Sequence, residues 1–148
     1  MTDTPSPASP TLALALLRAR EAVLTRVRPM LRSHGVTEQQ WRVLRALADG
    51  PPVDTADLAR RAVLLRPSLT RILRDLEARG LLERVAPPGG PRRSLLTITG
   101  RGRELIAATV AGAAAIQADI ERIFGVEALG ALKRDLATLE RVLTRDRG

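Results

Sequence analysis

Guanidinium groups are the chemistry this sequence offers. Arg66, Arg71 and Arg74 stand in one short stretch with Pro67, Ser68 and Thr70, and Arg92 and Arg93 stand side by side further on. A planar fork of N–H donors matches a phosphate or the O6/N7 edge of guanine, so such a set suits binding to a nucleic acid. Single surface arginines are usually only solvated charges, so the pattern must carry the argument. The chain has no Cys, and His34 is its only His. Thiolate nucleophiles, disulfides and a His cage for a metal within one chain are thereby excluded. Neither carboxylates paired at a defined spacing nor a phosphate-binding Gly loop is present, so no enzymatic activity and no cofactor are expected.

The distribution of charge supports the same direction. The 148 residues carry 24 Lys and Arg against 16 Asp and Glu, a net charge of +8. Residues 54–103 hold eleven Arg and five acids, a net of +6 in about a third of the chain. Excess positive charge concentrated in one segment implies a face for a polyanion. No apolar run reaches the length of a membrane span, and the Pro- and Ser-rich N-terminus lacks the pattern of a secretion signal. The sequence therefore predicts a cytoplasmic protein.

The elements that must position these groups are mostly helical. Hydrophobic residues make up 45% of the chain, yet there is one Trp, one Phe and no Tyr, which suits Leu/Ala/Val-rich helices packed together. Residues 1–11 predict a disordered arm. From Leu12, the apolar spacing Leu12, Leu16, Ala19, Val23, Val27 and Met30 predicts a helix over 12–34, kinked or interrupted at Pro29. Thr37-Glu-Gln-Gln40 is a capping box opening a helix over about 38–49 that turns Trp41, Leu44, Leu47 and Ala48 inward. A short helix at Thr55–Ala62 and a second one to about Arg79, closed by Gly80, form a helix-turn-helix. The second helix buries Leu69, Ile72, Leu73 and Leu76, leaving Pro67, Thr70, Arg71 and Arg74 on the opposite face, with Ser68 flanking its N-terminus. Strands at Leu82–Ala86 and Ser94–Thr99, joined by a Pro/Gly-rich loop ending in Arg92-Arg93, make a basic wing aimed at a minor groove or flanking phosphates. Thr99 caps a helix over 101–124. A last helix shows Leu129, Leu132, Leu136, Leu139 and Leu143, a heptad seam. The fold class is therefore mainly α with a small β-hairpin. A winged helix-turn-helix DNA-binding lobe over 36–100 is flanked by dimerisation helices at 12–34 and 101–145. A two-fold homodimer would present two recognition helices to a pseudo-palindromic duplex.

This order of elements resembles the MarR family of bacterial transcription regulators. The segments Leu58-Ala-Arg-Arg61, Leu69-Thr-Arg-Ile-Leu-Arg-Asp-Leu-Glu-Ala-Arg-Gly-Leu-Leu82 and Leu96-Thr-Ile-Thr-Gly-Arg-Gly102 carry the resemblance, which spans residues 12 to 145. More narrowly, Leu16-Leu-Arg-Ala-Arg-Glu-Ala22, Thr37-Glu-Gln-Gln-Trp-Arg-Val-Leu-Arg45 and Arg61-Ala-Val-Leu-Leu-Arg-Pro-Ser-Leu-Thr70 are similar to the HpaR-like repressors of homoprotocatechuate degradation. The resemblance implies a homodimeric repressor of double-stranded DNA sites, released by a small aromatic carboxylate or phenol. Two departures stand out. The family wing usually carries Asp-x-Arg where this chain has Gly90-Pro91-Arg92, and Leu65 stands where many members have Ser or Asp before the recognition helix.

The resemblance also implies an effector site between the dimerisation helices and the DNA-binding lobe, with Arg20, Arg28, His34, Trp41 and Arg45 as its candidates. An Arg fork suits a carboxylate, and Trp41 could cover an aromatic ring. Competing roles exist for Trp41, His34 and Arg20. Trp41 lies on the inward face and reads as core, and His34 suits a helix C-cap. Arg20 is the leading single choice, because a charge beside the apolar stripe of the first helix needs an acid. A salt bridge to Glu21 or to Asp135 of a partner helix is the structural alternative. The competing function is a winged-helix interaction module, or a DNA-binding regulator without a metabolite ligand.

Overall fold

The first helix begins where Thr11 accepts a hydrogen bond from the Leu14 amide at 3.3 Å, and α1 then runs over Leu12–Ser33. Pro29 lies inside it without interrupting it, so of the two expected outcomes an interruption does not occur. The proline removes one amide donor near the helix end, and the remaining ladder carries the helix across. His34 is the C-cap, and Gly35 takes φ +70° to turn the chain. The computed structural model describes residues 10–90 and 94–146, so most of the expected N-terminal arm and the wing arginines Arg92 and Arg93 lie outside the described residues.

The reciprocal capping box of Thr37 and Gln40 opens α2 over Glu38–Ala48, as the sequence predicts. Asp54 caps α3 (Thr55–Ala62), accepting from the Asp57 amide at 2.8 Å. Helix α4 spans Arg66–Ala78 with Pro67 in its first turn, and its N-cap Leu65 supplies no side-chain hydrogen bond. Strands β1 (Leu82–Val85) and β2 (Leu95–Ile98) pair antiparallel, Leu82 opposite Ile98 and Val85 opposite Leu95. Val53 adds a further bridge to Leu96 that its lone apolar position between two prolines and Asp54 did not reveal.

Helices α2, α3 and α4 close around one core with the hairpin. Val43, Leu44, Leu47, Leu58, Leu69, Leu73, Leu76, Leu82 and Leu96 are almost completely removed from solvent. Each such Leu contributes roughly 1.5–3 kcal/mol of transfer free energy, which is why so Leu-rich a sequence manages without aromatics. Within the single chain only part of the expected α1 stripe is covered, Val27 and Met30 being half-buried. Leu24 and Leu31 are covered, while Leu12, Leu16 and Val23 of the predicted stripe remain 58%, 39% and 43% exposed.

Thr99 accepts from the Gly102 amide at 3.1 Å and so caps α5 (Gly100–Phe124), as expected. After Gly125 the chain continues as α6 over Val126–Arg145. The chain divides into two compact units, one ending at Val110 and one starting at Ala111. Among the described residues no helix is long and apolar enough to cross a membrane.

Candidate functional site

Packing of α4 decides which of its side chains are available. Burial of Leu69, Ile72, Leu73 and Leu76 turns Arg66, Pro67, Ser68, Thr70, Arg71 and Arg74 to solvent. Arg71 and Arg74 form no ion pair among the described residues, so both forks are open to an outside acceptor. Thr70 donates its hydroxyl to the Arg66 carbonyl at 3.1 Å, one turn back, which leaves its methyl group and an oxygen lone pair for other contacts. The exposed stripe is therefore cationic and rich in donors. Asp75 at its edge is engaged by Gln40 of α2, whose amide nitrogen donates to it at 2.6 Å.

A second cationic area was not read from the sequence. Arg60, Arg61 and Arg66, with the acids Asp54 and Asp57, line an open cleft of about 750 Å³ at the start of α3. Arg60 and Arg61 both pair with Asp57, Arg61 at 2.9 Å, so the cleft is partly neutralised.

The effector candidates fall into two sets. In the first, Arg28 lines a cavity of about 240 Å³ with Leu31, Arg32, Val36, Thr37 and Glu38. Arg20 donates to Oε2 of Glu38 at 3.1 Å. Within the single chain the acid that Arg20 meets is Glu38, where the sequence offered Glu21. Helix spacing within α1 could not reveal a partner on α2. Glu21 pairs with Arg28, one Arg28 N–H reaching Glu21 Oε2 at 3.0 Å. That hydrogen bond holds the Glu21 carboxyl below its ordinary pKa, with the charges of Arg28 and Arg20 adding to it and desolvation opposing. A lowered carboxylate pKa contributes stability above the ordinary value and loses it as pH falls through the lower one. Both groups are solvated, so this contribution is small.

The second set sits where α2 meets the start of α5. Trp41 is half-buried and donates its indole N–H to Thr109 at 3.1 Å. The Arg45 guanidinium carbon lies 5.1 Å from the Trp41 ring centroid, a cation–π contact. His34 caps α1, as the alternative reading had it, and its Nε2 lies 3.0 Å from the Ala108 carbonyl. Trp41 thus serves packing and presents a ring together. Thr109, only 2% exposed, is a site neighbour that sequence reasoning missed, since a lone Thr in an Ala-rich helix gives no signal. Glu38 and Arg42 were also missed. Their one available signal was an acid followed four residues later by an Arg on one helix face.

The MarR family model matches residues 34–94. The homoprotocatechuate degradative operon repressor of Escherichia coli is 47% identical over 94 residues, which are 64% of this chain and 64% of that protein. The match thus spans less than two thirds of that relative's length. The HTH-type transcriptional regulator FarR of Neisseria gonorrhoeae is 40% identical over 129 residues, covering 87% of this chain and 88% of that one. Among solved structures, NadR in complex with 4-hydroxyphenylacetate aligns with a TM-score of 0.83 at 37% identity, over 91% of this chain and 98% of that chain.

Proposed function

Because this chain belongs to the MarR family of transcription regulators, we propose that it is a homodimeric DNA-binding repressor released from its operator by a small aromatic acid. The observation that carries the DNA reading is the solvent face of α4, where Arg71 and Arg74 stand opposite the buried Leu69, Ile72, Leu73 and Leu76. A helix so disposed enters a major groove with its apolar face still on the protein core. The relatives' names, an operon repressor and a helix-turn-helix regulator, support this reading over an interaction module. Fluorescence anisotropy on duplexes tiled across the DNA flanking its own gene tests it. One duplex is expected to bind about a thousandfold tighter than a scrambled control at physiological salt. Equal binding to all duplexes refutes sequence-specific repression.

Dimerisation is supported by apolar residues that the single chain leaves uncovered. Leu12, Leu16 and Leu17 on α1 and Leu132, Leu136 and Leu143 on α6 are all exposed. Light scattering at micromolar concentration is expected to return the mass of two chains, and Leu136→Glu is expected to shift it toward one. A wild-type protein with the mass of a single chain at that concentration rules the dimer out.

For the effector, Arg45 is the candidate with an unused fork. Arg20 and Arg28 already hold acids, whereas Arg45 rests on Trp41 and forms no ion pair among the described residues. The ligand in the NadR structure, 4-hydroxyphenylacetate, has the carboxylate and the ring that this Arg and Trp suit. Arg45→Ala is expected to bind operator within a few-fold of wild type and to lose release by 4-hydroxyphenylacetate. Differential affinity for two states is what couples ligand to DNA. Release that persists in this variant with unchanged midpoint moves the site to Arg20, Arg28 or His34.

A further inference from the structure

The turn between α3 and α4 contains a backbone conformation that its residue resists. Val63 takes φ +53° and ψ +55°, and it is the one non-Gly residue with positive φ among the described residues. A β-branched side chain is strongly disfavoured in the left-handed region, where Gly or Asn normally closes a helix. Burial does not hold it there, since Val63 is 75% exposed.

Two backbone bonds close the turn, the Leu64 amide donating to the Ala59 carbonyl at 2.9 Å and the Val63 amide to the Arg60 carbonyl at 3.2 Å, and Arg42 of α2 grips it from outside. One of its terminal nitrogens donates to the Ala62 carbonyl at 2.9 Å and to the Val63 carbonyl at 3.1 Å. These are C-terminal carbonyls of α3, left without helix partners and carrying the negative end of its dipole. The Arg42 Nε is buried 2.7 Å from Oε1 of Glu38, close enough for charge attraction but out of line for a hydrogen bond. Glu38 is the first residue of α2, and its other oxygen takes Arg20 of α1. A single carboxylate, 14% exposed, therefore joins a cation of α1 to the cation that grips the turn.

We propose that Arg42 is the positioning residue of the recognition helix, clamping the α3–α4 turn in its left-handed form, with Glu38 as the anchor of the clamp. Arg66, Pro67 and Ser68 follow the turn directly, so a turn that relaxes to negative φ redirects the N-terminal end of α4. The DNA arm of this inference rests on the repressor reading above. The backbone arm does not.

The test uses Arg42→Ala, Val63→Gly and their combination in the full-length protein. Two readouts are taken, amide hydrogen exchange across residues 63–65 without DNA and operator affinity by anisotropy. Loss of two charge-assisted bonds is expected to speed exchange at the turn and to weaken operator binding, each by about ten- to a hundredfold. Val63→Gly alone is expected to match wild type in both. Glycine enters the left-handed region without a Cβ penalty, so the double variant is expected to recover most of both losses. A merely structural Arg42 would not be rescued by a change at Val63. Arg42→Lys, which keeps the charge beside Glu38, is expected to lose less than Arg42→Ala and serves if the alanine variant fails to fold. Unchanged exchange in Arg42→Ala, or a double variant as impaired as Arg42→Ala, overturns the proposal. Expected exchange behaviour in a protein that binds no duplex specifically leaves the clamp standing and removes the repressor reading.

Discussion

Replacing both Arg71 and Arg74 by Ala is expected to abolish measurable discrimination between operator and scrambled DNA. Each guanidinium that pairs with a base edge contributes about 1–3 kcal/mol of discrimination, so two lost together approach the whole gap between specific and non-specific binding. The fold is expected to survive, because both side chains are exposed and the core face of α4 is untouched. Single variants separate the two possible contacts. A residue on a base relaxes preference at one position, whereas one on a phosphate weakens all sequences alike and lowers the salt slope by about one. Anisotropy titrations at several salt concentrations, on the operator and on single-base variants of it, read both effects. A double variant that still prefers the operator as strongly as wild type removes α4 as the reading element.

Gly102→Ala is expected to be the most damaging small substitution in the compact unit that ends at Val110. A Cβ at this position would stand 2.2 Å from the Leu81 carbonyl oxygen and 2.6 Å from Cγ1 of Ile98. The nearer atom is backbone, so no side-chain rotation relieves the overlap. The surroundings are also tied together. The Thr99 amide donates to the Leu81 carbonyl at 3.1 Å, and the Thr99 hydroxyl donates to the Gly80 carbonyl at 2.7 Å while accepting from the Gly102 amide. Moving α5 away to admit a methyl group disrupts its own cap and the start of β1 together. Overpacking of this kind costs about 1–3 kcal/mol or more, and the larger Gly102→Val exceeds it. Thermal unfolding is expected to show a lower midpoint, by several degrees for each kcal/mol in a chain of this size. Gly100→Ala is the control, since its added Cβ would meet nothing within 4 Å. Equal midpoints for the two variants would show that the contact at Gly102 yields freely.

The helices were legible because their signals are local. Thr37 and Gln40 cap α2 as their spacing requires, Pro67 opens α4, and Leu69, Ile72, Leu73 and Leu76 turn inward as 3.6-residue periodicity demands. The wing followed from two short apolar runs around a Pro/Gly loop. Periodicity was less reliable in α1. It marks an apolar stripe without saying what covers it, and the face covered within one chain belongs to Leu24 and Leu31. Leu65 shows a different limit, since its lack of capping was visible from residue type alone and the structure agrees.

The sequence by itself determined the family, the helical architecture with its hairpin, and the cationic face of α4, because each depends on spacing within one segment. The tertiary structure decided the partners of the charges. Arg20 meets Glu38 eighteen residues away, Trp41 meets Thr109 across sixty-eight, and Arg42 reaches the carbonyls of Ala62 and Val63. Hydrogen bonds and ion pairs act over a few ångströms, and only folding brings such distant residues within that reach. The left-handed Val63 shares both origins. The local turn bonds call for a left-handed residue there, and the cation that grips its carbonyl comes from another helix.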